Sequence, residues 1–268
     1  KLGWIPTTRV KPELLRAMDS ESFSWRRPCF GERFKFNSPS LPMISRDDLR
    51  AIALFESLDD EQLEKILERQ RELVHEAGQV IVMEKDWGES LFLLCDGLAK
   101  VRTFTTDGDE VVMSLLGTGD VFGEMAVFDG DSRSADVVAL TNLRVIKLRI
   151  PPFAALLNQQ AGFSLAFAKL EANRLRDLNH RFALQTADAT TRLLGALSYL
   201  ARKSSADDDL QAPIPPLAQQ EIALIAGLAR ETASRTLSKL RQRGTVNEDN
   251  GRLSLADLKP LEKRGLID

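Results

Sequence analysis

The sequence is poor in the residues that build metal, redox and catalytic sites. Two cysteines, Cys29 and Cys95, and two histidines, His75 and His180, occur among 268 residues. Two thiols cannot supply a disulfide framework, a zinc ligand set or a four-cysteine iron–sulfur cluster. A haem site would have to take its ligands from the same four residues. Two histidines scattered in the sequence do not support a catalytic Ser/His/acid set. No metal, prosthetic group or enzymatic activity is therefore predicted.

Long apolar runs are also missing. No run reaches the length of about 18 apolar residues that predicts a membrane-spanning helix, and the first residues contain no apolar signal core. These absences predict a cytoplasmic protein of bacterial type, without a membrane partner. A hydrophobic share of 43% is sufficient for packed cores, and 268 residues are sufficient for two domains and a connector.

Charge divides the chain into regions that we take as predicted domains. Residues 43–162 carry a net charge of −10, whereas residues 1–42, 163–187 and 188–268 carry +4, +2 and +1. The acidic middle region is not expected to bind nucleic acid. In the C-terminal region, nucleic-acid binding depends on where the charges lie. Residues 1–42 contain tryptophans and prolines but no sustained period, which predicts an irregular extension.

Between Glu72 and Ile150, short β-runs alternate with glycine turns. The runs are Val80–Met83, Leu91–Leu94, Ala99–Phe104, Val111–Leu116 and Leu143–Leu148. Asp-Gly between apolar runs is typical of hairpins, and glycines at roughly ten-residue spacing indicate an antiparallel barrel or roll. We therefore predict a roll with a cleft for a small ligand. Helix is predicted over residues 46–71, with a break and a capping acid at 58–60.

One long helix is predicted from Phe163 to Phe182. A first apolar stripe steps by three and four residues through Leu165, Ala168, Ala172, Leu175, Asn179 and Phe182. This spacing is that of a two-stranded seam, in which a polar Asn179 can fix the pairing, so a homodimer is favoured over a single core helix. A second stripe, formed by Phe163, Phe167, Leu170 and Leu178, is expected to pack on the roll.

Residues 217–244 have the pattern of a helix-turn-helix. We predict a first helix over Gln219–Ala226, a turn at Gly227 and a second helix from about Ala229. The expected inward face of the second helix comprises Ala229, Ala233, Thr236, Leu237 and Leu240. Asn250-Gly251 between short apolar runs predicts a hairpin wing.

The polar face of that second helix is the candidate DNA-reading surface. Residues 230–243 hold five cations and one acid, Glu231. Arginine can pair with guanine, and a carboxylate can accept from cytosine N4, whereas a lone acid among arginines that face phosphates would be unfavourable. The candidate contacts are Arg230, Glu231, Thr232, Ser234, Arg235 and Lys239. The plainer alternative is the solvated face of an ordinary amphipathic helix.

Two independent motif sets, in the correct order, resemble the Crp/Fnr family of transcription regulators over residues 46–258. The first is Gly119-Asp120-x-Phe122-Gly123-Glu124 with Arg133-Ser134-Ala135, and the second is Glu221-Ile222, Gly227 and Arg230-Glu231-Thr232-x-x-Arg235. The resemblance implies an α+β fold with an N-terminal antiparallel β-roll of cyclic-nucleotide-binding type, a long dimerisation helix and a C-terminal winged helix-turn-helix. It also implies a homodimer that reads TGTGA-like palindromes in double-stranded DNA and contacts RNA polymerase.

In this family the first motif set holds a cyclic nucleotide, and the residues suit that ligand. The amides of Gly123–Met125 can point at phosphate oxygens, and Arg133 can fork onto the phosphate. Ser134 can add a hydroxyl, and Glu124 can accept from a ribose 2′-hydroxyl. A structural Glu124–Arg133 ion pair is the plainer alternative.

Toward the base, the resemblance places Leu178 and Asn179 where the cyclic-AMP-binding branch of the family has Thr-Ser. Asn179 keeps a donor and an acceptor, whereas Leu178 cannot replace a hydroxyl. Cyclic AMP is the expected allosteric ligand. Two alternatives stay open, namely a regulator of the same fold with another effector or none, and a cyclic-nucleotide regulatory subunit of an enzyme.

Overall fold

The computed structural model describes residues 44–125, 130–205 and 207–267. The predicted extension over residues 1–42 lies outside them. Among the described residues, no helix combines the length and apolar character needed to cross a bilayer. The same residues contain no group of three His, Cys, Asp or Glu side chains placed to hold a metal ion.

In the part of the chain that the structure describes, two short helices precede the sheets. Helices α1 (Arg46–Arg50) and α2 (Asp60–Leu67) each begin with a reciprocal capping box, at Ser45 and at Asp59. The capping acid predicted at the break is therefore confirmed. The expected helical extent over residues 46–71 was too long, because turns occupy residues 51–57 and a strand starts at Arg71.

Eight strands form the roll. They are β1 (Arg71–His75), β2 (Val80–Val82), β3 (Ser90–Asp96), β4 (Ala99–Phe104), β5 (Glu110–Leu116), β6 (Val121–Phe122), β7 (Asp136–Ala139) and β8 (Leu143–Arg149). Two antiparallel four-stranded sheets have the orders β1-β8-β3-β6 and β2-β7-β4-β5. The predicted antiparallel roll is confirmed. Strands β1, β6 and β7 were not predicted, because each is too short or too polar to stand out as an apolar run.

Phenylalanines join the end of the roll to the long helix. Helix α3 (Ile150–Gln159) follows β8, and α4 (Ala161–Leu184) follows α3. The rings of Phe153 and Phe163 lie 5.7 Å apart between centroids, and Phe167 is buried in the same cluster. The second predicted stripe thus packs on the roll at its N-terminal end, which fixes where α4 crosses the sheets.

The predicted seam of α4 lies on the surface of the chain. Leu165, Leu175 and Phe182 are 57%, 57% and 71% exposed, respectively. Ala168 and Asn179 are exposed and Ala172 is half-buried. A stripe of large apolar side chains open to water is what a dimer seam requires, and dimerisation through it stays a prediction.

The C-terminal domain contains the predicted winged helix-turn-helix. Its elements are α5 (Ala189–Ser204), α6 (Gln219–Ala226), α7 (Arg230–Gln242), β9 (Val246–Asp249), β10 (Arg252–Leu255) and α8 (Lys259–Glu262). Gly227 ends α6 with a φ of +61°, in the left-handed region that glycine tolerates. Asn250 and Gly251 form the wing turn, with φ values of +49° and +76°.

One assignment on the second helix was wrong. Ala229 is the N-cap of α7 and is exposed, whereas Ala233, Thr236, Leu237 and Leu240 are buried as predicted. An N-cap residue has extended backbone angles, so the helical angle used for the prediction does not apply to it.

The roll and the C-terminal domain share one core. Leu98, Val112 and Leu115 of the roll belong to the same buried cluster as Leu197 of α5 and Ile222 of α6. The helix-turn-helix therefore rests directly on the β4–β5 side of the roll. The predicted domain bounds at 43–162, 163–187 and 188–268 stay a prediction.

Candidate effector cavity and DNA-reading surface

A cavity of about 390 Å³ lies between the roll and helix α4. Its walls come from the segment around Gly123 and Arg133, from strands β4 and β5, and from one face of α4. Of the predicted effector contacts, it brings together Gly123, Glu124, Met125, Arg133, Ser134 and Leu178. Asn179 does not line it and is exposed on α4, so its contact with an effector stays a prediction.

Glu124 makes an ion pair that spacing did not predict. Its Oε1 lies 2.7 Å from Nη1 of Arg174 on α4, and the same Nη1 lies 3.0 Å from Oε1 of Glu171. The Glu124–Arg133 ion pair considered as the plainer alternative is not formed. Arg174 also donates to the carbonyl of Val121, so this guanidinium ties α4 to the roll beside the cavity.

The second carboxylate oxygen of Glu124 is the most informative atom of the cavity. The Glu124 side chain is 8% exposed, and its Oε2 is buried without a hydrogen-bond partner. A buried acceptor without a donor is costly. A hydroxyl group brought by a ligand would satisfy it, and a ribose 2′-hydroxyl is such a donor. The cavity therefore offers an open acceptor to a ligand that carries a hydroxyl group.

Arg133 is held by backbone carbonyls. Its Nη1 donates to the oxygen of Gly123 at 2.6 Å, and its Nη2 donates to those of Ser90 at 2.6 Å and Gly88 at 3.2 Å. A guanidinium has five N–H donors, so some can still turn to an anion. A Cβ on Gly88 or on Gly123 would meet this guanidinium at 2.8 Å, so a side chain at either position would displace the guanidinium from these carbonyls.

Electrostatics distinguishes the two arginines of the cavity. Burial lowers the pKa of Arg133, and the charges of Glu124 and Asp86 oppose that shift. Burial also disfavours the charge of Arg174, but the carboxylates of Glu124, Glu171 and Asp120 outweigh it and raise the Arg174 pKa. Arg174 is thus neutralised by protein carboxylates, whereas Arg133 keeps a positive charge for which an anion is the natural partner.

The remaining predicted phosphate contacts lie at the cavity edge. Ser134 is exposed, and its hydroxyl lies 3.4 Å from the sulfur of Met125, which is 51% exposed. A thioether is a weak acceptor, so the hydroxyl is easily redirected to a stronger one. Gly123 has a φ of +80°, which lets the backbone turn toward the cavity at this point.

Much of the remaining lining of the cavity is apolar. It includes Leu178, Val82, Val101 and Met113, and Ser114 contributes a hydroxyl. Leu175, which the seam prediction placed on the dimer side, also lines the cavity. A flat aromatic base suits such walls through its faces, and few protein groups are available to read its edge.

The predicted DNA-reading side chains lie on one accessible face of α7. Arg230, Glu231, Arg235 and Lys239 are exposed, and Thr232 and Ser234 are half-buried. The opposite face packs into the core of the C-terminal domain through Leu237 and Leu240. Among the described residues, none forms an ion pair with Arg230, Arg235 or Lys239, whereas Arg241 further along pairs with Glu248 of the wing.

Arg174 and Glu171 are the site residues that the sequence did not reveal. Glu124 and Arg174 stand fifty positions apart in the numbering, and only the packing of α4 on the roll brings them together. The available signal was a Glu and an Arg three positions apart on a helix, which is an ordinary surface pair on most helices.

Two models of known protein families match the chain. The cyclic nucleotide-binding domain matches residues 72–160, and the Crp-like helix-turn-helix domain matches residues 191–264. The cyclic AMP receptor protein of Thermus thermophilus is 30% identical over 218 residues, which are 80% of this chain and 97% of that protein.

Solved structures share the fold at lower sequence identity. FixK2 from Bradyrhizobium japonicum has a TM-score of 0.64 at 19% identity and covers 72% of this chain and 96% of its own. The c-di-GMP-responsive global regulator CLP of Xanthomonas campestris has a TM-score of 0.59 at 20% identity and covers 74% and 100%. At these identities the likeness is one of fold.

Proposed function

Because this chain belongs to the Crp/Fnr family of transcription regulators, we propose that it is a homodimeric, cyclic-AMP-responsive regulator that reads TGTGA-like palindromes. The family match includes a cyclic-nucleotide-binding domain and a DNA-binding helix-turn-helix domain. The observation that carries the choice of a nucleotide is the buried, unpartnered Oε2 of Glu124 at the wall of the cavity. RNA polymerase is the further partner that we expect.

Each part of the cavity would hold one part of the nucleotide. Arg133, Ser134 and the amides near Gly123 would bind the cyclic phosphate, and Glu124 would accept from the 2′-hydroxyl. The base would lie against Met113 and Leu178. An effector changes the orientation of the C-terminal domain only through different affinities for the two orientations, and matched spacing of two recognition helices is what a palindrome requires.

Calorimetric titration with cyclic AMP and cyclic GMP tests the effector. We expect cyclic AMP to bind at micromolar or lower concentration, with 2′-deoxy-cyclic AMP as the matched control because it lacks the hydroxyl that Glu124 would bind. Failure of both cyclic nucleotides to bind, with unchanged operator affinity, would end the nucleotide proposal and leave the family assignment intact.

A different effector is the second candidate, and one observation favours it. Leu178 offers no hydrogen bond to a base edge, and Asn179 is exposed and does not line this chain's cavity. The name of the Xanthomonas regulator states that it responds to c-di-GMP. A c-di-GMP titration beside the two cyclic mononucleotides therefore distinguishes this candidate from cyclic AMP.

Arg230→Ala tests the DNA-reading surface. Loss of one arginine that binds a guanine should cost about 1–3 kcal/mol of operator affinity and relax one base position. Fluorescence anisotropy on a TGTGA palindrome and on duplexes with single base changes measures both effects. Lys263→Ala, at an exposed position beyond α8, is the control that should leave the base preference unchanged. Full TGTGA preference in the Arg230→Ala variant would contradict the assignment.

A further inference from the structure

A buried lysine connects the roll to the helix-turn-helix. Lys100 on β4 has a side chain that is 3% exposed. Its Nζ lies 2.6 Å from Oε1 of Glu110 on β5 and 2.5 Å from Oε2 of Glu221. Glu221 belongs to the first turn of α6. One ammonium group therefore bridges two carboxylates that belong to different domains.

This contact differs in kind from the surface ion pairs of the chain. An exposed pair such as Lys65–Glu61 on α2, with side chains 63% and 77% exposed, has little effect on stability. A buried ammonium that loses one of its two carboxylates is less well compensated in a poorly solvated place. Separation of α6 from the roll would remove Glu221 from Lys100, so the bridge resists that motion.

The strands that carry the bridge also form a wall of the effector cavity. Val101 follows Lys100 on β4 and therefore points to the opposite face of the sheet, where it lines the cavity. On β5, Ser114 lines the cavity as well, and its hydroxyl lies 3.2 Å from the hydroxyl of Tyr199 on α5. A displacement of β4 and β5 by a ligand would therefore be transmitted to the C-terminal domain through these contacts.

The arrangement around Arg133 indicates which orientation an effector would favour. Its guanidinium donates three of its five N–H groups to the carbonyls of Gly88, Ser90 and Gly123, so an anionic ligand that takes more than the two remaining groups must compete with these carbonyls. An anion would bind more tightly to a rearranged cavity in which the donors face it. A ligand shifts a molecule toward the state that it binds better, so the arrangement described here is the one that an anionic effector disfavours.

We propose that Lys100 is an interdomain latch. By bridging Glu110 and Glu221, it holds the helix-turn-helix in the orientation described here, and an anionic effector on the other face of β4 and β5 acts against it. The effector part of this inference rests on the proposed function. The proposal that Lys100 holds the helix-turn-helix in this orientation is independent of that function.

Interdomain distances test the latch without effector or DNA. Spin labels at Lys147→Cys on β8 and Lys263→Cys report the separation of the two domains, in a Cys29→Ser background and with excess unlabelled subunits. Cys95 is buried and its pKa is raised by burial to about 12, so it does not compete for the label. We expect Lys100→Met and Glu221→Gln each to broaden or shift the distance distribution, and the control Lys65→Met to leave it unchanged.

Unchanged distances in both latch variants would overturn the proposal. Glu221→Gln keeps the shape of the side chain at a partly exposed position, so a folding defect in Lys100→Met does not prevent the test. The double variant should match the stronger single variant, because both substitutions break the same contact. Additive effects would show that the two residues act separately.

Operator binding with and without cyclic AMP tests the regulatory consequence. Coupling between two ligands is commonly about 5–150-fold. In Lys100→Met we expect higher operator affinity without cyclic AMP and a loss of at least about fivefold in the ratio of affinities with and without it. A ratio equal to that of Lys65→Met would overturn the regulatory role. Absence of cyclic AMP binding in the unsubstituted protein would instead count against the proposed function, and the distance measurement would still decide on the latch.

Discussion

The carboxylate of Glu124 has two oxygens in different situations. Oε1 forms an ion pair with Nη1 of Arg174 at 2.7 Å, and Oε2 is buried without a hydrogen-bond partner. A structural ion pair would explain the first oxygen but leaves the second at a cost. The side chain thus joins α4 to the roll with one atom and presents the other to the cavity.

Substitution Glu124→Gln should weaken effector binding mainly through the sugar. A hydrogen bond to a charged acceptor contributes about 1.5–3 kcal/mol, so cyclic AMP affinity should fall about tenfold or more. The informative measurement is the affinity ratio between cyclic AMP and 2′-deoxy-cyclic AMP. This ratio should approach one in Glu124→Gln and stay high in the control Glu56→Gln, an exposed carboxylate on the turn before α2. An unchanged ratio would remove Glu124 from sugar recognition.

Helix α4 contacts the roll at several points along its length. Phe163 and Phe167 bury its N-terminal half against the roll, and Glu171 and Arg174 border the cavity. Arg181, near its C-terminal end, donates to the carbonyls of Met113 and Val112 on β5. These contacts leave the exposed stripe of α4 open, and the proposed dimer would pair through it.

Leu165→Asp should dissociate the dimer. Leu165 is 57% exposed and does not line the effector cavity, so a charge there is tolerated in a single chain. In a twofold seam the carboxylate is buried twice, and the dimer dissociation constant should rise at least about tenfold. Sedimentation equilibrium measures it, with Asn158→Asp on α3 as an exposed control. Equal association of both variants would show that subunits pair elsewhere.

For the molecule as a whole, local patterns were predictable and contacts between distant segments were not. The Asp-Gly turns correctly predicted the roll. The bounds of α6 were predicted to the residue because Gly227 ends this helix. Arg174 and Lys100 were missed, since their partners come from elements that meet only after the sheets, α4 and α6 have packed. The sequence also could not tell that Arg133 would bond to carbonyls, because backbone acceptors leave no residue signature.

The junction between the domains should make stability depend on pH. Burial raises the pKa of Asp177 on α4, assisted by Asp120 and Asp208 and opposed by Lys203 and Arg202. A raised folded-state pKa favours the folded protein below the unfolded-state pKa, and this contribution is lost as pH rises through the folded-state value.

Asp177→Asn should therefore stabilise the protein at neutral pH. The gain in free energy of unfolding should shrink as the pH falls toward the unfolded-state value of about 4. Urea titrations at pH 7.5 and at about pH 4, the unfolded-state value, measure this change, with Glu56→Gln as the control carboxylate. A gain that does not vary with pH would show that the charge of Asp177 is not its cause.

Leu175 carries a consequence for how such regulators diversify. It lines the effector cavity and also lies on the exposed stripe of α4, so a substitution there would act on the cavity wall and on the proposed dimer seam together. A duplicated gene that acquires a new ligand by changes at this position would alter its self-association surface at the same time. Paralogues that diverge in this way would sort into separate homodimers, and signals would be kept apart in one cell without any further change.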